Sequence, residues 1–224
     1  LSGKELSAEG LGKIMLKLES MGCHNINLVN PTYSLPVILE ALEYSVSMGL
    51  NVPVVYNTGG YDSVETIRAI SDVIDIYLPD MRYSSDIMAE RYSGIKHYVK
   101  KNRDVIKEMY RQVGDLESVS GVAVRGLIVR LLVLPERVSG TEETLEFISC
   151  ELGNDVAISL MSQYSPVFKS GLFPEIDRKI TREEYESAVN KCESLGFHNG
   201  WIQPFGQDFD ENLLGENFEK GLKL

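Results

Sequence analysis

One pattern constrains this chain more than any other. A short apolar run ends in a small polar or proline-bearing cluster, and a helix-like stretch follows. Five run-ends show it: 26–29 into Asn30, Pro31 and Thr32; 54–56 into Asn57, Thr58, Gly59 and Gly60; 73–78 into Pro79, Asp80, Met81 and Arg82; 127–134 into Pro135 and Glu136; and 156–161 into Ser162, Gln163 and Tyr164. Buried parallel strands read as continuous Val/Ile/Leu runs because helices cover both faces of their sheet. In parallel barrels and open parallel sheets, ligands gather where the strands end. The polar residues at the run-ends are therefore the place to look for function.

The segments between the runs have helical period and helical punctuation. Ser7 caps a first helix carrying Leu11, Ile14, Met15, Leu18 and Met21 on one face, with Gly22 as its stop. Ser34 opens a second through Pro36, Ile38, Leu39, Leu42 and Val46 to Gly49. Asp62, Ser63, Val64 and Glu65 fit a capping box for a short third helix. Residues 83–125 break the rhythm. A short helix is expected over 86–92 and a longer one over about 99–113, with Val105, Ile106, Met109 and Tyr110 inward, then a loop or ragged hairpin over 115–124. Thr141 caps the next helix. Thr181 and Glu184 form a further capping box, with Ile180 and Tyr185 as a hydrophobic staple, and that helix ends at Gly196. A last strand is expected over 200–204, and the tail from Gln207 is polar and ragged.

About six strands follow, nearly all parallel, in one α/β domain spanning 1–224 with no linker. No Gly-x-Gly-x-x-Gly or Gly-x-x-x-x-Gly-Lys turn follows any strand, so a partial, TIM-like parallel β/α barrel is preferred to a doubly wound sheet. The net charge of −11 and a pI near 4.8 argue against nucleic acid and anionic membrane surfaces as partners. No apolar run reaches the ~20 residues of a membrane helix. Cys23, Cys150 and Cys192 are odd in number and far apart, which suits free buried thiols in a reducing cytoplasm and offers no metal motif.

Arg130 is the most pointed residue. It lies inside the run 127–134, where an unpaired guanidinium is costly to bury. Either it pairs with an internal acid such as Asp80, or its fork meets a ligand carboxylate. Asn57 and Thr58 supply acceptors and donors, and Gly59 and Gly60 permit close backbone approach. Asp80 and Arg82, two apart, point the same way from a barrel mouth or pair with each other. Asn30, Pro31 and Thr32 make a stiffened turn, and Gln163 and Tyr164 add polar tips. His24, His97 and His198 read as structural or solvent-facing, and no catalytic triad or carboxylate pair assembles. The residues alone describe a pocket for a small polar ligand bearing a carboxylate.

Seven stretches carry a resemblance: HNINLVNPT (24–32), VVYNTGG (54–60), VIDIYLPDMRY (73–83), IKEMYRQVGD (106–115), RGLIVRLLVLP (125–135), SLMSQYSP (159–166) and ITREEY (180–185). In this order they resemble the radical S-adenosylmethionine superfamily, and within it the proteins related to pyruvate formate-lyase activating enzyme. That resemblance implies a partial β/α barrel and S-adenosylmethionine as cofactor. It also implies a 4Fe–4S cluster on a Cys-x-x-x-Cys-x-x-Cys loop, and reductive cleavage to a 5′-deoxyadenosyl radical for hydrogen abstraction. Implied partners are a glycyl radical enzyme or other protein substrate, and a flavodoxin or ferredoxin as reductant.

By the same resemblance, Asn30, Pro31 and Thr32 stand where the family has Gly-Gly-Glu, near the methionine amino group. Asn57 and Thr58 match the next strand-end motif, and Asp80 and Arg82 match an Asp-x-Lys. Arg130 matches an arginine holding the methionine carboxylate or ribose, and Gln163 and Tyr164 lie near the adenine or ribose. Ser165 stands where similar proteins often have a histidine, and the cluster cysteines are absent. The chain begins at Leu1 rather than Met, so the expectation is an N-terminal segment ahead of it that carries them, with this stretch inactive alone. Two other readings remain: a non-catalytic small-ligand or protein-binding barrel, and a cofactor-free lyase or isomerase working through Asp80 and Arg82.

Overall fold

Six parallel strands line up in the order β1-β2-β3-β5-β6-β7 in the computed structural model, which describes residues 5–206. They are β1 (Ile26–Val29), β2 (Val54–Thr58), β3 (Ile76–Pro79), β5 (Val122–Leu132), β6 (Ala157–Met161) and β7 (Gly200–Ile202). The short β4 (Glu117–Val119) pairs antiparallel with the start of β5. Helices separate the parallel strands: α1 (Ala8–Ser20), α2 (Leu35–Ser47), α3 (Val64–Ala69), α4 (Asp86–Ser93), α5 (Tyr98–Val113), α6 (Thr141–Glu151) and α7 (Arg182–Ser194). The sheet runs from β1 to β7 without closing, so the architecture is a partial parallel β/α barrel.

Strand side chains alternate between two faces, and this divides the apolar residues into two layers. Leu28, Tyr56, Tyr77, Leu127, Val129, Leu131, Ile158 and Leu160 pack outward against Met15, Ile38, Ile106, Met109, Leu145, Ile148 and Tyr185 of the helices. Each fully buried Leu or Ile in this layer contributes about 2 kcal/mol. The inner face is thinner. Val55, Ile76, Ile128 and Ala157 form a small cluster there, covered by Leu116 and Ala123 from the β4–β5 region. The inner face is thus apolar below and polar towards the strand ends.

Several local expectations change. Residues 71–75 form a turn rather than strand, and Asp75 accepts the Val54 amide through its side chain, so β3 begins only at Ile76. The ragged hairpin is real: β5 starts at Val122 and ends at Leu132, two residues short of the run. Met21 and Val46, placed on inward faces by their spacing, are exposed at the ends of α1 and α2. Gly140, with positive φ, occupies the cap position of α6, and Thr141 is its first helical residue. The Thr181–Glu184 capping box forms in both directions. The tail from Gln207 lies outside the described residues.

Candidate ligand-binding site

The strands are parallel, so their C-terminal ends gather on one side and bring the run-end clusters together. In β2, Val55 belongs to the inner cluster while Tyr56 belongs to the helix-side core. Alternation then sends Asn57 inward and Thr58 outward. In β5, Ile128 is inner while Val129 and Leu131 are outer, so Arg130 points inward. A parallel bridge sets Asp80 beside Arg130, and the ladder continues from Arg130 to Ser159 and from Ser159 to Trp201. One inner tier therefore holds Asp80, Arg130, Ser159 and Trp201.

Arg130 resolves the choice left open by the sequence. Its Nε donates to Asp80 Oδ1 at 2.7 Å, and its Nη2 donates to Asn57 Oδ1 at 2.8 Å. Asp80 Oδ2 accepts from Arg82 Nη2 at 2.7 Å and from its Nε at 3.2 Å. Two guanidinium groups thus share one carboxylate, leaving a net positive charge in a chain whose overall charge is −11. Partial desolvation opposes the charge of the largely exposed Arg82, but Asp80 outweighs it and holds the Arg82 pKa above its ordinary value. Among the described residues, Arg130 Nη1 has no partner. Asn57 turns its oxygen to Arg130, so its amide nitrogen faces away as a second free donor. A guanidinium edge beside an amide N–H suits a carboxylate.

Thr32 and Thr58 belong to a different construction on the helix side of β2. Asp62 accepts from Thr32 Oγ1 at 2.5 Å, from Tyr56 Oη at 3.1 Å and from Thr58 Oγ1 at 2.6 Å. Burial raises the Tyr56 pKa well above that of an ordinary phenol. The expected capping box around Asp62 does not form; Ser63 caps α3 alone, accepting from the Thr66 amide, while Asp62 turns into the core. Pro31 is buried, and Asn30, in the left-handed region, ties its amide to Asn57 O, fixing the turn after β1 against β2.

Gln163 and Tyr164 follow β6 and bond elsewhere. Gln163 Oε1 accepts from Gln203 at 3.3 Å, and Tyr164 Oη donates to Ile176 O at 2.8 Å, anchoring the loop 165–180. His24, His97 and His198 are all exposed. Sequence reasoning missed Asp62 as a core group, Ser159 and Trp201 as neighbours of Arg130, and Asn102. The register places Ser159 and Trp201. For Asp62, the signal was hidden by its fit to a local helix-start pattern.

Asp80 is poorly suited to act as a general base, because both its oxygens are engaged by arginines. Among the described residues no group of three His, Cys, Asp or Glu side chains is placed to hold a metal ion. Of the three thiols expected to be buried only Cys192 is; Cys150 is exposed and Cys23 half-buried, and they do not form an iron–sulfur ligand set.

Solved structures share this fold. A domain of pyruvate-formate lyase-activating enzyme from Bacteroides vulgatus superposes with a TM-score of 0.52 and 13% identity, covering 80% of this chain and 98% of that one. HydG, a maturase of the [FeFe]-hydrogenase, superposes with a TM-score of 0.53 and 14% identity, covering 89% of this chain and 45% of HydG. Both are radical S-adenosylmethionine proteins, and the likeness is one of fold. An uncharacterized protein of Methanocaldococcus jannaschii is 35% identical over 172 residues, 75% of this chain. The chain spans only 46% of that relative's length. No family model matches the chain.

Proposed function

We propose that this chain is the substrate-side barrel of a radical S-adenosylmethionine enzyme, and that its inner strand-end tier binds the methionine end of S-adenosylmethionine. One observation carries the reading. Arg130 is fixed on the inner face by Asp80 and Asn57, with Nη1 unpartnered among the described residues, in a barrel of the fold radical S-adenosylmethionine proteins use. Arg130 Nη1 and the Asn57 amide take the ligand carboxylate. Asp80 sets the angle of the guanidinium and keeps Arg82 folded against the mouth. The nucleoside is assigned to the β6 side, where Ser159 neighbours Arg130 and where Gln163 and Tyr164 begin the next loop. Asn30, tied by its amide to Asn57 O, borders the site on the β1 side, whereas Pro31 is buried and Thr32 is held in the Asp62 knot on the helix side.

When bound, S-adenosylmethionine supplies a sulfonium whose one-electron cleavage drives hydrogen abstraction. The described residues do not fit the iron–sulfur cluster that would deliver that electron, and on this reading the part played by this stretch is to hold and orient the ligand through its carboxylate. On this reading the cluster thiolates belong to a segment outside these 224 residues, and a glycyl radical enzyme or other protein substrate, an electron-donor protein and a cytoplasmic setting follow from the family. Titration of the chain with S-adenosylmethionine should saturate, and Arg130→Met should weaken binding by about tenfold or more. A chain that shows no saturable binding refutes the proposal. An extended protein, reconstituted with iron and sulfide and reduced, should release 5′-deoxyadenosine; a loaded but silent protein would leave a binding barrel.

A further inference from the structure

Among the described residues, Asn102 is the one buried residue near the strand ends that donates two hydrogen bonds to the site and leaves an acceptor of its own unmet. It lies on α5, is 1% exposed, and its Nδ2 donates to Gly60 O at 2.9 Å and to Asp80 O at 3.0 Å. Those two carbonyls belong to the turn after β2 and to the end of β3. A single amide therefore ties the strand that carries Asn57 to the residue that anchors Arg130. The approach is tight: Gly60 has φ +72, and a Cβ there would lie 2.3 Å from Asp80 O and 2.4 Å from Asn102 Nδ2. Only a glycine lets the two strand ends and the amide meet.

The other half of the side chain makes the case for function. Asn102 Oδ1 is buried without a hydrogen-bond partner among the described residues. Burying an unsatisfied acceptor is unfavourable, and an apolar residue in the same space would avoid that cost. The position keeps an amide whose two donor hydrogens are both spent on the strand ends. We infer that Asn102 is a positioning residue: it fixes the Asp80 main chain relative to β2, and through Asp80 it sets the Arg130 guanidinium for its ligand. The inference rests on the binding site proposed above, yet it can be read without any ligand.

The test follows the Arg130 Nε–H resonance by 1H–15N NMR, because its hydrogen bond to Asp80 Oδ1 displaces it from the position of a free guanidinium. Asn102→Ala should move it towards that free position and raise the dissociation constant for S-adenosylmethionine about tenfold. Val105→Ala, a buried truncation one turn along the same helix, controls for general loosening of α5 and should leave the resonance in place with less than about a twofold change in affinity. Should Asn102→Ala fail to fold, Asn102→Ser keeps a short donor and should move the resonance part of the way. A resonance that stays put in the Asn102 variant, or moves equally in Val105→Ala, overturns the inference. A resonance that responds to Asn102 in a chain that binds no S-adenosylmethionine upholds the clamp and defeats the proposed ligand.

Discussion

The two polar clusters at the end of β2 begin at adjacent residues and end in opposite states. Thr58 points to the helices and joins Asp62, Thr32 and Tyr56 in a buried knot, where one carboxylate accepts three hydroxyl groups. Asn57 points inward and joins Arg130, Asp80 and Arg82, where an arginine nitrogen and an amide nitrogen have no partner among the described residues at a half-open mouth. A closed network in low dielectric holds the chain together, since every group it contains would be costly to leave unpaired. A network with free donors at an accessible edge is built to be completed by something else.

The largest effect should separate the clusters by stability. Asp62→Ala removes the shared acceptor of three hydroxyls, two of them on buried residues, and should lower unfolding free energy by about 2–3 kcal/mol in denaturant titration. A loss below about 1 kcal/mol would break the distinction, because the knot would then be no more structural than the mouth. Gly60→Ala comes next. Forcing a Cβ against Asp80 O at positive φ should cost about 2–3 kcal/mol and also disturb the mouth, since Gly60 lies between the two clusters. Arg130→Met should cost only about 1–2 kcal/mol, because Arg82 still holds Asp80, while ligand binding suffers most.

Acid sharpens the contrast least. Hydrogen bonds from Arg111, aided by Gln112 and Arg68, hold Glu108 down to about 2 against burial, and Arg178 does the same for Glu184. Both lie among the helices and loops outside the mouth. Their folded pKa values are depressed, so their stabilisation is fully present above the ordinary value of 4.5 and is lost as pH falls from there towards 2. Glu108→Gln should make stability fall less steeply across that window in pH-dependent unfolding, and an unchanged slope would contradict the assignment.

The sequence made the scaffold readable because buried parallel strands announce themselves as apolar runs, and Arg130 stood out as a charge inside one. The opposite facing of Asn57 and Thr58 was missed, since both were expected at one ligand, although strand alternation carries it. Neighbours in a strand point to opposite sides, so the pair was never going to serve one pocket. Asp62 was not readable, since Asp-Ser-Val-Glu satisfies a local capping pattern and only tertiary packing recruits the carboxylate inward. Asn102 gave no signal at all: it is one polar residue on an amphipathic helix, and its meaning depends on two carbonyls that lie 42 and 22 residues away in sequence. The length of β3 was overread because the run 73–78 is apolar through a turn that Asp75 pins to β2.

The most direct test of the central claim is calorimetric binding of S-adenosylmethionine and its decarboxylated analogue to the wild-type chain and to Arg130→Met. If the Arg130 edge holds the ligand carboxylate, the wild-type chain should prefer S-adenosylmethionine by about tenfold or more, and Arg130→Met should lose that preference. Equal affinity of the wild-type chain for both compounds, or a preference that survives in Arg130→Met, would contradict it.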